Sequence, residues 1–481
     1  MNDLKQKTIS GLLYKFLERG FAKGIGFVVS VILARMLCPE DYGLIALVMV
    51  VIAFCDVFVT SGFSSALVVD KDADTVDFST CFHFNVLISL ALYAVVFFSA
   101  PFLATFFGSE MLVSVIRVLG IRIPLAAINS IEQAWIQKEM KFKFFFWATL
   151  VGTVVSGVIA IIMAFNGFGV WALVEQTLGN MLIDTAILWV AIKWKPSLVF
   201  DTNKFKKQFK FGWKVLVTGL IDTTYSEMRS LAIGKVYSSD ALAYYNRGTQ
   251  FSELGMTIVE PTISGVLFPA LSKCNDDKEL MKKATRRSLK LSSFIIFPCM
   301  VGIAACGESL INVLLTEKWM PCLIFLEIGC LAYLFRPMQV INNSLIKASG
   351  RSSLLLVLDV IKKSLGVLLV VVTINISVVA VAWSFAITNF LSVVINVFAV
   401  RKIIDYGFFE QFKDIAIYAL LSLVMGLVVY LLSLIGLPSF VALFLQICCG
   451  VALYFGICWI IKEESFEYCL SMLRSIFHMK G

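Results

Sequence analysis

The chain has 481 residues, 59% of them hydrophobic and 15% charged, with a formal net charge of +8 and a mean hydropathy of +0.88. Soluble domains are about 45–50% apolar and about 25% charged, so a soluble globular protein is excluded and an all-α polytopic membrane protein is expected. The first apolar stretch is interrupted by charge and has no small-residue cleavage site, so it reads as a retained helix and not as a signal peptide.

A helix needs about 20 apolar residues to cross the hydrocarbon. The pattern predicts fourteen such spans: 10–34, 43–66, 79–107, 112–136, 144–165, 168–192, 210–234, 243–269, 286–315, 321–346, 354–375, 377–400, 412–434 and 438–461. Connections after odd spans are short, such as NGFG at 166–169; those after even spans are longer and polar, such as 272–287. Lys and Arg set the orientation. Counting Lys210, Arg286, Arg287, Lys290 and Lys413 at the span edges with the even side, that side and the two termini hold 27 of the 41 basic residues. The odd side holds three: Arg35, Lys235 and Lys318. Both termini are therefore expected in the cytoplasm. The acidic loop DKDADTVD after span 2 runs against this trend, but acids weigh little in the rule.

The two halves echo each other. ARMLCPEDYG at 34–43 and GKVYSSDALA at 234–243 share a basic residue, two apolar residues, a small pair and an acid. Further on, Ala66-Leu67 matches Ala270-Leu271, Asp56 matches Glu260, and Ile128-Asn129 after Pro124 matches Ile341-Asn342 after Pro337. Two parallel six-helix lobes are expected, 1–200 and 201–405, with two extra helices and a tail over 406–481. Parallel repeats related by an axis along the membrane normal are one architecture of alternating-access transporters, with the substrate between the halves.

Enzymatic signatures are lacking. No Gly-x4-Gly-Lys-Ser/Thr loop occurs, and His83 and His478, the two histidines, do not pair with cysteines at metal spacing. The twelve cysteines read as small apolar residues, and lone polar residues such as Asn85 and Asn180 as interhelical hydrogen bonders. No catalytic role, metal or cofactor is expected, and no nucleic-acid partner.

Charges inside the spans carry the functional reading. A charge at the bilayer centre costs about 2.5–3.5 kcal/mol even on the lenient insertion scale. The spans nonetheless contain Lys15, Arg19, Lys23, Arg117, Arg122, Lys214, Arg229, Arg247, Arg336, Lys362 and Lys363, together with acids such as Asp56, Glu132, Glu175, Asp184 and Glu260. Some snorkel to the headgroups; the rest must pair or line a wet cavity, and so many suit a bulky hydrophilic cargo better than a single ion. In YKFLERGFAKG at 14–24, Lys15, Arg19 and Lys23 recur every four residues and share one helical face. Lys23 lies about 15–18 Å along the helix from the headgroups, too deep to snorkel. An amphipathic surface helix over residues 4–20 is the competing account; it does not extend to Lys23. Arg19 and Lys23 are candidate pyrophosphate ligands, one a bidentate fork and the other a point charge. Lys15, Arg122, Arg229, Arg247 and Arg336 complete the candidate substrate contacts. Asp56 and Glu260, each well inside an apolar span, are candidates for coupling to H+ or Na+, against a structural role as partners of arginine or backbone.

Motifs at the span ends carry a family resemblance: LARMLCPEDYGLIAL at 33–47, SGFSSALV at 61–68, NGFGVWALV at 166–174, YYNRGTQF at 244–251, LFPALSK at 267–273, TEKW at 316–319 and IKASGR at 346–351. In this order, from about residue 7 to residue 430, the chain resembles the Wzx-type polysaccharide flippases, in the branch serving colanic and teichuronic acids, of the multidrug/oligosaccharidyl-lipid/polysaccharide exporter superfamily. The resemblance implies two six-helix lobes facing a cavity and transport of an undecaprenyl-pyrophosphate-linked oligosaccharide across the bacterial inner membrane for surface polysaccharide export. It implies membrane lipid as surroundings, and a polysaccharide polymerase and glycosyltransferases as partners. An ion-coupled exporter of drugs or organic cations from the same superfamily is the alternative, with a non-transporting scaffold behind it.

Overall fold

The computed structural model describes residues 23–273 and 277–478. Lys15 and Arg19 lie outside them, as does the side chain of Glu260. Among the described residues the regular structure is all helical, and the chain divides into two compact units, one ending at Ala243 and the other beginning at Tyr244.

The first unit contains α1 (23–36), α2 (Pro39–Thr60), α3 (Phe63–Val69), α4 (Thr75–Phe107), α5 (Met111–Leu119), α6 (Arg122–Lys138), α7 (Phe142–Phe165), α8 (Val170–Ala191) and α9 (Thr202–Val236). A helix α10 (Ser239–Lys273) runs from its end into the second unit. There follow α11 (Lys278–Ala305), α12 (Gly307–Leu314), a 3-10 turn at Glu317–Cys322, α13 (Leu323–Leu334), α14 (Arg336–Ala348), α15 (Ser352–Thr373), α16 (Val378–Ile404), α17 (Phe408–Ser433), α18 (Ser439–Ile460) and α19 (Glu464–His478).

Every predicted span from the second onward coincides with a helix or a broken pair of helices. Spans 2, 4, 9 and 10 break, at Ser61-Gly62, Gly120-Ile121, Cys306 and Phe335. Among the described residues, nine helical segments are long and apolar enough to cross a membrane. Helices α8, α9, α10 and α15 occupy predicted spans but fall outside those nine. Polar side chains dilute them, such as Asp222, Glu227 and Arg229 in α9, and Asp359, Lys362 and Lys363 in α15.

The family motifs are helix ends and close approaches. Pro39 starts α2, where it needs no N–H partner, and Asp41 accepts from the Cys38 amide at 3.2 Å. A side chain at Gly43 would put its Cβ 2.0 Å from the Ser239 carbonyl oxygen, so only glycine lets α2 pass the start of α10. Gly167 and Gly169, at φ +79° and +55°, turn the chain from α7 into α8, conformations that side-chain-bearing residues resist.

Helix α9, which the sequence repeat places in the second lobe, packs on α2, α3 and α4 in the first unit. Two of the contacts that hold it there are a close backbone approach and a set of ion pairs. Gly62 and Gly212 bring α3 and α9 to backbone contact. The acidic loop supplies the other: Lys204 pairs with Asp74 and Asp77, Lys207 with Asp70 at 2.7 Å, and Gln208 donates to Asp70 at 2.8 Å and Asp77 at 3.3 Å. The charges that oppose the orientation rule are thus matched by the basic start of α9.

In the second unit the two extra helices are part of the main core. Tyr418, Met425 and Val429 of α17 and Tyr454 and Cys458 of α18 pack with Phe294 and Phe297 of α11 and Val397 and Val400 of α16. Buried Asp414 accepts from Arg286 at 2.6 Å and from the Tyr406 hydroxyl at 2.7 Å. The tail also folds. Glu463 caps α19 by accepting from the Ser465 and Phe466 amides and takes the Tyr418 hydroxyl at 2.7 Å, while Lys290 pairs with Glu464.

Candidate functional site

A cavity of about 550 Å³ lies within the first unit. Its walls are built by helical periodicity. On α6, Arg122, Ala126, Asn129, Gln133 and Gln137 line it, following the spacing of one helical face. Asp56 and Thr60 face it from successive turns of α2, and Met181 and Asp184 from α8. The chain breaks after Thr60 and restarts at Phe63, which adds Ser64 and Ser65 of α3 to the wall.

Its polar groups are organised. Arg122 Nη1 donates to Asp56 Oδ2 at 2.5 Å, and each of the two side chains is about one-fifth exposed, 22% and 21%. Asp56 Oδ1 has no hydrogen-bond partner among the described residues. Gln133 donates to Asn129 at 2.5 Å; Asn129 donates to Asp184 at 2.8 Å and to Thr185 at 3.2 Å. Thr149 of α7 reaches the other Asp184 oxygen at 3.4 Å. Behind this wall, Asn85 and Ser130 both donate to the Val59 carbonyl, at 2.9 and 3.0 Å, just before α2 ends. Asn180 reaches Thr153 at 3.4 Å. Asn85 and Asn180 are interhelical hydrogen bonders, as their isolation in apolar spans suggests.

Of the residues singled out in the sequence, the structure brings together Asp56 and Arg122. Lys23 is exposed at the start of described α1. Arg229 is buried and stacks near Tyr225, 5.6 Å from the ring centroid. In the second unit, buried Arg247 donates to Gln250 at 2.8 Å and stands 5.7 Å from the Trp319 ring centroid. Arg336 approaches Gln339 at 3.5 Å. The cavity of the first unit has Arg229, Arg247 and Arg336 nowhere in its lining.

Asp184 was among the acids expected to pair or to line a wet cavity; the sequence reading passed over Asn129 and Gln133 as wall residues. Their signal was present: a polar set at 122, 129, 133 and 137 inside an apolar span keeps one face. Asn129 also has a counterpart. Asn342, its match in the repeat, is equally buried and donates across to Gln411 at 3.1 Å.

Such a cavity offers amide and hydroxyl groups that both donate and accept, beside two carboxylates and one guanidinium. That mixture suits the hydroxyl-rich surface of a sugar, which presents donors and acceptors together.

Comparison with known proteins agrees with this setting. Residues 32–324 match the family model described as "Polysaccharide biosynthesis protein". The teichuronic acid biosynthesis protein TuaB of Bacillus subtilis (strain 168) is 25% identical over 388 residues, 79% of this chain and 80% of that protein. The lipopolysaccharide biosynthesis protein WzxC of Escherichia coli (strain K12) is 20% identical over 420 residues, 85% of this chain and 84% of that protein. In fold, the chain resembles the lipid II flippase MurJ in its inward closed conformation, with a TM-score of 0.76 at 19% identity over 94% of this chain and 98% of that one. An inward-facing multidrug resistance MATE transporter follows, with a TM-score of 0.61 at 13% identity over 81% of this chain and 98% of that one. The apolar helices and these relatives make it a multi-pass inner-membrane protein. The chain belongs to the polysaccharide biosynthesis protein family, in its Wzx-type branch of the multidrug/oligosaccharidyl-lipid/polysaccharide exporter superfamily.

Proposed function

We propose that this protein flips an undecaprenyl-pyrophosphate-linked oligosaccharide from the cytoplasmic to the outer leaflet for surface polysaccharide export. The observation that carries the reading is the polar cavity of about 550 Å³ sunk among apolar helices of the first unit. A membrane protein bears the cost of burying an amide ladder, two carboxylates and a guanidinium at this depth when a hydrophilic cargo uses them. Two six-helix lobes over 1–200 and 201–405, fourteen spans and cytoplasmic termini complete the proposed transporter. The lobes alternate access, sugars and pyrophosphate cross inside, and the prenyl tail stays in lipid. The protein performs no covalent chemistry. Its drive is an H+ or Na+ gradient, with Asp56 and Glu260 as coupling groups, or removal of product by a polymerase downstream of the glycosyltransferases.

Export of drugs or organic cations is the second reading. The cavity's two carboxylates against one guanidinium favour it. One deletion strain separates the two. Accumulation of a lipid-linked oligosaccharide on the cytoplasmic side supports the flippase. Unchanged lipid-linked sugars with increased sensitivity to cationic drugs support the exporter.

A further inference from the structure

A second cleft, of about 630 Å³, lies in the other unit where α16 ends and α17 begins. One wall is apolar. Phe390, Val394, Val397 and Phe398 line it from α16, on one helical face that continues to Arg401. Phe398 and Phe409 are 65% and 86% exposed. Phe390 to Arg401 covers about 16 Å of helix at 1.5 Å per residue, close to the roughly 15 Å hydrocarbon depth of one leaflet.

The rim is charged, and its charges differ in their partners. Lys282 is engaged, donating to the Asp405 carbonyl at 2.7 Å and pairing with Glu410 at 3.0 Å. The Arg401 and Asp405 side chains, both exposed and both lining the cleft, have no hydrogen-bond or ion-pair partner among the described residues, each other included. Asp405 is held in place by its backbone, in the left-handed region at φ +50° with its amide closing on the Arg401 carbonyl at 3.0 Å. With Lys282 and Glu410 cancelling, the cleft presents one free cation and one free anion above an apolar wall. That rim complements a zwitterion better than an anion.

We propose that this cleft binds a phosphoethanolamine lipid of the surrounding bilayer, with Arg401 taking the phosphate, Asp405 the ammonium, and the phenylalanine face of α16 one acyl chain. In the proposed topology, with both termini in the cytoplasm, α16 ends on the cytoplasmic side, and the site then belongs to the cytoplasmic leaflet. The site shares no lining residue with the polar cavity and does not depend on what that cavity carries.

The test is native mass spectrometry of the full-length protein in detergent, with equimolar phosphatidylethanolamine, phosphatidylglycerol and phosphatidylcholine. The wild-type protein should retain phosphatidylethanolamine roughly two- to fivefold over the other two, as one exposed charge pair allows. Asp405→Asn should erase that preference while still holding phosphatidylglycerol, since asparagine also accepts the left-handed conformation. Arg401→Gln should weaken retention of both phosphatidylethanolamine and phosphatidylglycerol. Equal retention of the three lipids by the wild type would overturn the proposal, as would a preference that survives Asp405→Asn. Displacement of phosphatidylethanolamine by equimolar undecaprenyl phosphate would assign the cleft to a polyprenyl anion instead. Thermal melting in phosphatidylcholine nanodiscs shows whether the variants are folded.

Discussion

Asp56 and Arg122 are 66 residues apart in the chain, and their side chains meet at 2.5 Å across the polar cavity. Arg122 supplies the counter-charge for an acid inside an apolar helix, and neither side chain is sealed from the cavity. Removing one partner leaves a charge exposed to a poor solvent, so the single variants should suffer more than the pair. Arg122→Ala should cost about 1–3 kcal/mol and most export. The Asp56→Asn, Arg122→Gln double variant should recover the stability without the export. Thermal unfolding in nanodiscs and polymer at the cell surface read the two effects separately. Export at wild-type level in the double variant would remove this pair from the transport machinery.

Arg19 and Lys23 are predicted to contact the pyrophosphate. Arg19→Ala and Lys23→Ala should each insert normally and lose glycan export, with Lys15→Ala close to wild type. Arg19→Lys should restore less than Lys23→Arg, because the bidentate fork is lost. Complementation of the deletion strain at matched protein level gives the answer; full export by the double alanine variant would refute the assignment.

The proposed topology places Gly167 and Lys318 in the periplasm and Lys206 and Lys278 in the cytoplasm. Alkaline phosphatase fusions should be active at the first two positions, and green fluorescent protein fusions at the last two. A cytoplasmic signal at Gly167 would shift the register of the first six spans.

Gly43→Ala should block folding. Its new Cβ would sit 2.0 Å from the backbone oxygen of Ser239, and the nearest atoms it meets are all Ser239 backbone, which cannot swing away. Overpacking of this kind costs about 1–3 kcal/mol or more. Gly456→Ala in α18 meets nothing within 4 Å and should be neutral or slightly stabilising by helix propensity. Yield of monodisperse protein after detergent extraction compares the two.

The clamp between the acidic loop and α9 should depend on pH at both ends. Hydrogen bonds from Lys207 and Lys204 hold Asp70 and Asp74 below the usual carboxylate range. Their contribution is complete above the unfolded value of about 3.9 and fades as pH falls through the lower folded values. The same bonds raise Lys204 and Lys207; that contribution is complete below about 10.4 and is lost as pH rises through the higher folded values. The exposed pairs should also weaken with salt. Spin labels at Lys71 and Lys206 should report a fixed distance from about pH 5 to 9 that broadens only as pH falls through the lowered folded values of Asp70 and Asp74. A distance unchanged below those folded values and in 1 M salt would show that the lysine–aspartate pairs do not hold α9.

Much of the molecule was legible in the chain. Apolar runs determine where helices lie, because a backbone in hydrocarbon must satisfy its own hydrogen bonds. Proline and glycine marked the ends, as at Pro39, Gly167 and Gly169. The family motifs sit at those ends, so they identify the fold more readily than a ligand. Tertiary structure decided what periodicity cannot. The membership of α9 in the first unit rests on Gly62 against Gly212 and on lysine–aspartate pairs more than 120 residues apart in sequence. Helix α19 is too short and polar to stand out by hydropathy; buried Glu463 and Tyr418 anchor its start. The pairing of Asp56 with Arg122, and of Asn129 with Asp184, was likewise out of reach of the sequence. A charge inside an apolar span announces that it needs a partner or water, but which one it finds depends on the rotation and crossing of neighbouring helices, and these are set by packing.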